Sequence, residues 1–319
     1  MFIEDLFFQT ADKGLFHTCF GVSREQLEDL LKRVEGHYES SYSDGSIKLE
    51  HRGRPVLTAT SVLLSTLLRL RKKWSFSLIG WFFGLSATTL RERYQHMMNI
   101  LTLEMEKEIS LGDADTRLYH GQWHNDRTLR VVAALDGYLQ LVTQPPDRST
   151  RNLLQSGKEK DYCVSIFGLM GMDSKWLWRS TPIHGSIPDQ TAILFSDSLG
   201  WVDSLSENEF IVADQAFYVL REHYAHTIIP DQYSSDPIDN RGVSSIRSIV
   251  EQGWQGLQEW MILFLRWKSN YSTWSSLQES IHQVVTVIMG LNNLYHQPYR
   301  TLDLEPSSIT NQIYPRPIT

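Results

Sequence analysis

The 319 residues, 41% apolar and 21% charged, are enough for one large or two moderate domains with a sizeable core, and they exclude wholesale disorder. Two distant cysteines, Cys19 and Cys163, exclude a disulfide framework and a cysteine-based zinc site, so any metal would be held by oxygen or imidazole. No apolar run approaches the roughly 20 residues of a spanning helix, and the acids in "MFIEDLFFQTADKG" are unlike a secretory signal, so a soluble, intracellular protein with no membrane partner is expected. The net charge of −7 argues at first sight against a nucleic-acid partner, but it hides an uneven distribution. Residues 48–93 hold nine bases against two acids, +7, which leaves −14 for the rest. A basic module joins an acidic one.

In chain order, the first hundred residues read as helical. "GVSREQLEDLLKRVEGHY" opens with Ser23 and Gln26 at capping-box spacing before an amphipathic leucine pattern. In "HRGRPVLTATSVLLSTLLRLRKKW" an extended start gives way to a helix capped by Thr58 or Thr60, with Val62, Leu63, Leu67 and Leu70 on one face. "SFSLIGWFFGLSATTLRERYQHMMNIL" then predicts a short apolar helix ending at Gly84 and a second helix capped by Ser86. Two helices joined by a tight glycine turn, the second opening with small polar residues and arginine, form a helix-turn-helix pattern. On this reading Ser86, Thr88, Thr89, Arg91 and Arg93 face a major groove, and Arg52, Arg54, Arg71, Lys72 and Lys73 contact phosphates, making binding salt-dependent. The competing reading is a helix pair that only builds a core.

From about 105 to 129 the chain is polar and aperiodic, a connector. "LRVVAAL" and "YLQLVTQ" then read as two strands joined by a hairpin at Asp136-Gly137, and "DYCVSIFGLMG" as a third. Residues 182–200 read as a loop and a helix entered near Pro188. "EFIVADQAF" is a buried strand ending at Asp214 and "HTIIPD" another. Helices follow from about Ser244 and in "SLQESIHQVVTVIMGLNNLYHQ". The order predicts an α/β, ribonuclease H-like domain, a mixed sheet flanked by helices over residues 111–319, preceded by an all-α helix-turn-helix domain over residues 1–110.

Three carboxylates stand out: Asp136 at the end of the first strand, Asp214 after the fourth, and Glu251 on the helix beyond. Taken singly, Asp136 suits a turn and Glu251 a solvated helix face. The first and fourth strands are neighbours in such a fold, so the aspartates would lie side by side. Their repulsion is most naturally offset by divalent cations, and hard oxygen ligands suit Mg²⁺ or Mn²⁺. Two such ions can activate an attacking oxygen and stabilise a leaving one in phosphodiester displacement. Glu259, eight residues after Glu251, is a rival for the third acid, although Arg247, four residues before Glu251, favours the latter. Lys158 and Lys160 are weaker candidates for phosphate contacts. His184 and Asp189 flank a loop at the same end of the sheet and are not taken as catalytic. The tryptophans at 176, 178, 254 and 260 are expected in the core.

The chain resembles a DDE transposase of the PIF/Harbinger type and its bacterial insertion-sequence relatives. The similarity rests on "GRPVLTATSVLLSTLLRLRKKWSFSLIGWFFGLSATTLRER", "ALDGY" with "QPPD", "SGKEKDYCVSIFGLMGMDSKW", "HGSIPDQTAI", "IVADQAFY" and "RSIVEQGWQGLQEW", in order. The resemblance implies that Asp136, Asp214 and Glu251 bind two metal ions. It also implies double-stranded DNA, terminal repeats and target, as substrate, with a homo-oligomer as the working form. A separate Myb-like DNA-binding partner is a further implication, given the acidic charge. The place of action would be the nucleus in a eukaryote, or the cytoplasm and nucleoid in a bacterium. A domesticated DNA-binding or scaffolding protein that keeps the fold is the alternative, and a different nuclease of the same fold a third.

Overall fold

The structure is a computed structural model, and it describes residues 13–43, 57–123, 130–195, 197–229, 237–267 and 273–295. Two compact units emerge. Unit 1 comprises Met1–Glu108, Gln258–Leu265 and Gln283–Tyr295, and unit 2 Ile109–Leu257, Arg266–His282 and His296–Thr319.

Unit 1 is helical: α1 (Lys13–Phe20), α2 (Arg24–Ser43), α3 (Ala59–Lys72), α4 (Phe76–Phe83) and α5 (Ala87–Glu106), joined by the short α11 (Met261–Phe264). Local chemistry places the helix ends. Ser23 and Gln26 form a reciprocal box, Ser23 N–H donating to Gln26 Oε1 at 2.7 Å and Gln26 N–H to Ser23 Oγ at 3.2 Å. Thr58, not Thr60, caps α3, Ser75 caps α4 and Ser86 caps α5, each accepting from the backbone N–H three residues on. Gly84, at φ 67°, takes the left-handed turn between α4 and α5 that a side chain would resist. The core is aliphatic and aromatic, with Leu63, Leu67 and Leu70 of α3, Leu90, Met97 and Leu101 of α5, and Trp260 all buried.

Unit 2 is built on a seven-stranded sheet. Its strands are β1 (Gln122–Trp123), β2 (Arg130–Leu141), β3 (Cys163–Gly171), β4 (Trp176–Arg179), β5 (Ile183–His184), β6 (Glu209–Ala213) and β7 (Thr227–Ile228). The spatial path is β4-β3-β2-β6-β7, with β1 added to β2 and β5 to β3. The β4, β3 and β2 pairings are antiparallel, and the β2, β6 and β7 pairings parallel. Such a mixed sheet, with helices packed on it, is consistent with a ribonuclease H-like domain. One face is covered by Ile193 of α8 (Asp189–Phe195), Trp201 of a 3₁₀ segment and Leu220 of α9 (Leu220–His223), which join Leu135, Leu169 and Ile211 in one apolar cluster. The other carries α10 (Pro237–Gln258): Trp254 lies against Trp176 and stacks on Tyr138. A side chain at Gly168 would run into both tryptophans.

The expected hairpin at Asp136-Gly137 does not exist. β2 is one strand of twelve residues, paired with β3 without a break from Ala133↔Gly171 to Leu141↔Cys163. Nine cross-strand pairs outweigh a two-residue turn preference, and Gly137 is not among the positive-φ glycines that such a turn requires. The stretch "DYCVSIFGLMG" therefore carries the second of the three antiparallel strands, and "WLWR" is the third. The presumed connector contains α6 (Ala114–His120) and β1, and α10 begins at Pro237, seven residues before the expected start. Two further helices are described, α7 (Arg148–Leu154) and α12 (Trp274–Tyr295).

Candidate active site

The site begins with a mismatch in strand length. β6 runs parallel to β2 only as far as the pair Leu135↔Ala213, and there it stops. Asp136 and Asp214 are the next residue on each strand, so they stand side by side at the carboxyl end of the parallel pair, where open α/β sheets place their ligands. Ending β6 also explains how a charge is tolerated inside β2. On its β3 side Asp136 remains in the ladder opposite Gly168, while on its β6 side the ladder has finished.

The third acid comes from α10, on the face that carries Trp254. Arg247 and Glu251 are one turn apart, and Arg247 Nη2 donates to Glu251 Oε1 at 2.6 Å. Arg247 Nη1 reaches Asp214 Oδ1 at 3.4 Å. A single guanidinium thus links the second acid to the third. Asp214 Oδ1 also accepts from the Gln215 N–H at 2.6 Å, where it caps a short 3₁₀ turn. Burial pushes the Asp136 carboxyl up to about 6; its Gly137 backbone hydrogen bond and Arg247 pull the other way, and Glu251 and Asp214 add to the rise. These acids sense one another. Glu259 is grouped elsewhere: α10 ends at Gln258, and Glu259, in unit 1, pairs with Arg71 at 3.0 Å.

Asp136 and Asp214 line a pocket of about 100 Å³ together with Lys158, Asp189 and Phe217. Asp189, not expected to be catalytic, opens α8, and its carboxyl is raised by burial and by Asp214 while Lys158 opposes the rise. Its place in the pocket depends on how α8 lies along the sheet, which no local pattern announces. Lys160 is an exposed residue in a left-handed turn, φ 53°, and is not among the pocket's lining residues. His184 pairs with Val164 in the ladder and its ring lies 4.2 Å from that of Trp274. Trp176, Trp254 and Trp260 are buried as expected, and Trp178 is partly buried.

The donor chemistry fits a hard divalent cation. It offers carboxylate oxygens only, one of them on an acid whose ionised form is disfavoured by burial, and a guanidinium already stands among them as a cation. The spacing is another matter: among the described residues no group of three or more His, Cys, Asp or Glu side chains is placed to hold a metal.

The expected DNA-contacting residues separate into three groups. Arg52 and Arg54 lie outside the described residues. Ser86, Thr88 and Arg91 are exposed at the start of α5, and Thr89 is half-buried, its N–H donating to Ser86 Oγ. Of the others, Arg71 and Lys73 are engaged within unit 1 and Arg93 is buried there. Arg71 pairs with Glu259 and its guanidinium lies 5.5 Å from the centre of the Trp260 ring, while Lys73, left-handed at the end of α3, donates to the Leu265 carbonyl at 2.8 Å. Lys72 is half-buried. Arg93 is a correction: only 7% exposed, it belongs to the inward stripe of α5 with Leu90 and Met97, at the three- and four-residue spacing of one helix face.

A family model described as DDE superfamily endonuclease matches residues 135–293. Comparison with curated proteins gives no match, and neither does comparison with solved structures. The matched stretch opens one residue before Asp136 and spans Asp214, Arg247 and Glu251. With the mixed sheet beneath it, this match supports a DDE transposase-like family, and a transposase-like nuclease, for the chain.

Proposed function

We propose that this chain is a metal-dependent DNA endonuclease and strand transferase, of the PIF/Harbinger transposase type, that cuts phosphodiester bonds at element ends. One observation carries the reading: the parallel register of β2 and β6 brings Asp136 beside Asp214, and Arg247 ties Glu251 to Asp214. Asp136, Asp214 and Glu251 would hold Mg²⁺ or Mn²⁺, as two ions. When bound, these would activate the attacking oxygen, water first and a freed 3′-hydroxyl later, and offset charge on the leaving oxygen. Lys158 at the pocket wall suits a non-bridging phosphate oxygen of the bound strand. Ser86, Thr88, Thr89 and Arg91 would take double-stranded DNA at the start of α5, and a homo-oligomer would pair two ends. Action would be in the nucleus of a eukaryote, or the cytoplasm and nucleoid of a bacterium.

The test is nicking of plasmid or terminal-repeat DNA by the purified chain in Mn²⁺. Activity is expected to fall by roughly 10³-fold or more in Asp136→Ala and in Asp214→Ala. Nicking that persists in either variant would refute the assignment.

A second reading is favoured by a different observation. Arg71 and Lys73 are engaged within unit 1 and Arg93 is inward, in a chain of net charge −7. These features support a domesticated protein that keeps the fold, or a nuclease that borrows DNA affinity from a Myb-like partner. Weak, salt-insensitive DNA binding by the isolated chain would select this reading.

A further inference from the structure

We propose that Arg247 is a displaceable counter-ion of the acid cluster, a positioning residue whose guanidinium and a divalent cation are alternative occupants of the carboxylates of Asp214 and Glu251. The inference rests on the metal-dependent reading above. Its basis is geometric. The guanidinium holds Glu251 Oε1 at 2.6 Å and Asp214 Oδ1 at 3.4 Å, and its charge also acts on Asp136. It therefore occupies a place from which a cation acts on all three acids. A divalent ion entering there meets a like charge within a few Å, so the two compete directly.

The contacts are those of a group that can leave. Arg247 Nε is buried and finds no hydrogen-bond partner among the described residues, and the contact to Asp214 is at the long end of the hydrogen-bonding range. The Asp214 and Glu251 side chains are 43% and 46% exposed, so both keep outward oxygens in reach of solvent. Arg247 lies one helical turn before Glu251, so swinging the guanidinium away frees Glu251 Oε1 without moving α10. On the metal-free protein the arginine relieves repulsion among the acids. On the loaded protein it is displaced, and apparent metal affinity is lowered by the strength of the contacts it gives up.

The experiment titrates Mn²⁺ into the full chain without DNA, following free Mn²⁺ by electron paramagnetic resonance, for wild type, Arg247→Gln and Asp136→Asn. Arg247→Gln is expected to bind Mn²⁺ about three- to tenfold more tightly than wild type, and Asp136→Asn more weakly. Equal or weaker binding by Arg247→Gln, with binding still weakened in Asp136→Asn, would overturn the counter-ion role and leave the metal site standing. No binding by wild type or Arg247→Gln would overturn the metal-dependent reading and the counter-ion role with it. The unmodified protein supplies a second measurement that needs no folded variant. The Arg247 Nε–H resonance of ¹⁵N-labelled protein is expected to shift as Mg²⁺ is added, and a resonance unmoved at saturation would also refute the proposal.

Discussion

The five-residue strand β6 has an arginine–carboxylate cluster at each end, and the two are built on opposite principles. At its start, Glu209 is fully buried and Arg117 only 5% exposed at its side chain; Arg117 Nε and Nη2 meet Glu209 Oε1 and Oε2 at 2.6 and 2.8 Å. Arg117 also donates to the carbonyls of Leu111, Gly112 and Ser204, and Glu209 Oε2 accepts from the Ser206 N–H. Both ions are out of water and surrounded by partners. Past its end, Asp214 and Glu251 share one guanidinium whose charge also acts on Asp136, Arg247 Nε has no partner among the described residues, and two of the acids are nearly half exposed. A cluster that completes its own hydrogen bonds has nothing left to offer a ligand. One that leaves oxygens outward and a donor unmatched has capacity to spare.

The largest effect that would test this contrast is at the closed end. Arg117→Met strands a buried carboxylate and is expected to cost about 3–5 kcal/mol of stability, measured by urea unfolding. Adding Glu209→Leu should recover much of it, because the penalty lies in the orphaned charge. Arg247→Gln at the open end should change stability by less than about 1 kcal/mol in the same experiment. Equal losses at the two ends would remove the distinction.

The second effect has the opposite sign. Burial raises the Asp136 carboxyl to about 6 in the fold, against about 3.9 in an unfolded chain. The folded state therefore holds this proton more tightly than the unfolded state. Stability from this group is present below about pH 4 and is lost as pH rises to about 6, by up to roughly 3 kcal/mol. Asp136→Asn should thus stabilise the metal-free protein by about that amount at pH 8 and by little at pH 4, in thermal melts across that range. A flat difference between the two pH values would mean that Asp136 is not strained by burial.

The two ends of β6 were not equally legible in the sequence. Asp214 was readable, because an acid directly after "FIVA" must leave a buried strand at its end. Asp136 was found for partly the wrong reason: Asp-Gly suggests a turn locally, but its real setting is fixed by a nine-pair register with residues about 30 positions away. Glu209 and Arg117 are not legible in the sequence, since a glutamate heading a strand and an arginine in a polar connector have no local mark of pairing across 92 residues. Helix ends were the easiest features, as at Ser23, Thr58, Gly84 and Ser86, because a cap involves residues three or four apart. Arg93 could have been read correctly from its place in the stripe with Leu90 and Met97.

Such local features predict correspondingly local effects. Ser86→Ala removes the hydroxyl that accepts from the Thr89 N–H at 3.1 Å and should cost about 1 kcal/mol. Because the cap is confined to the start of α5, Mn²⁺ affinity should not change. A change in metal binding would show that the acid cluster depends on more than the elements that form it.

The smallest effect on stability is the sharpest comparison, because it uses the residue type found at the closed end. Glu251 is 46% exposed and its pair with Arg247 spans one turn of helix, with the arginine first. Exposed pairs of this kind contribute only about 0.3–0.5 kcal/mol, and this order of charges is the less favourable one. Glu251→Gln should therefore leave the urea midpoint almost unmoved, whereas Glu209→Gln, which breaks a buried pair, should move it by several-fold more. Nicking should respond in reverse: lost in Glu251→Gln, and in Glu209→Gln reduced only as far as the folded fraction falls. A glutamate whose loss is silent in stability and decisive in activity is held for a ligand rather than for the fold, and if Glu251→Gln nicked DNA at the wild-type rate that conclusion would have to be withdrawn.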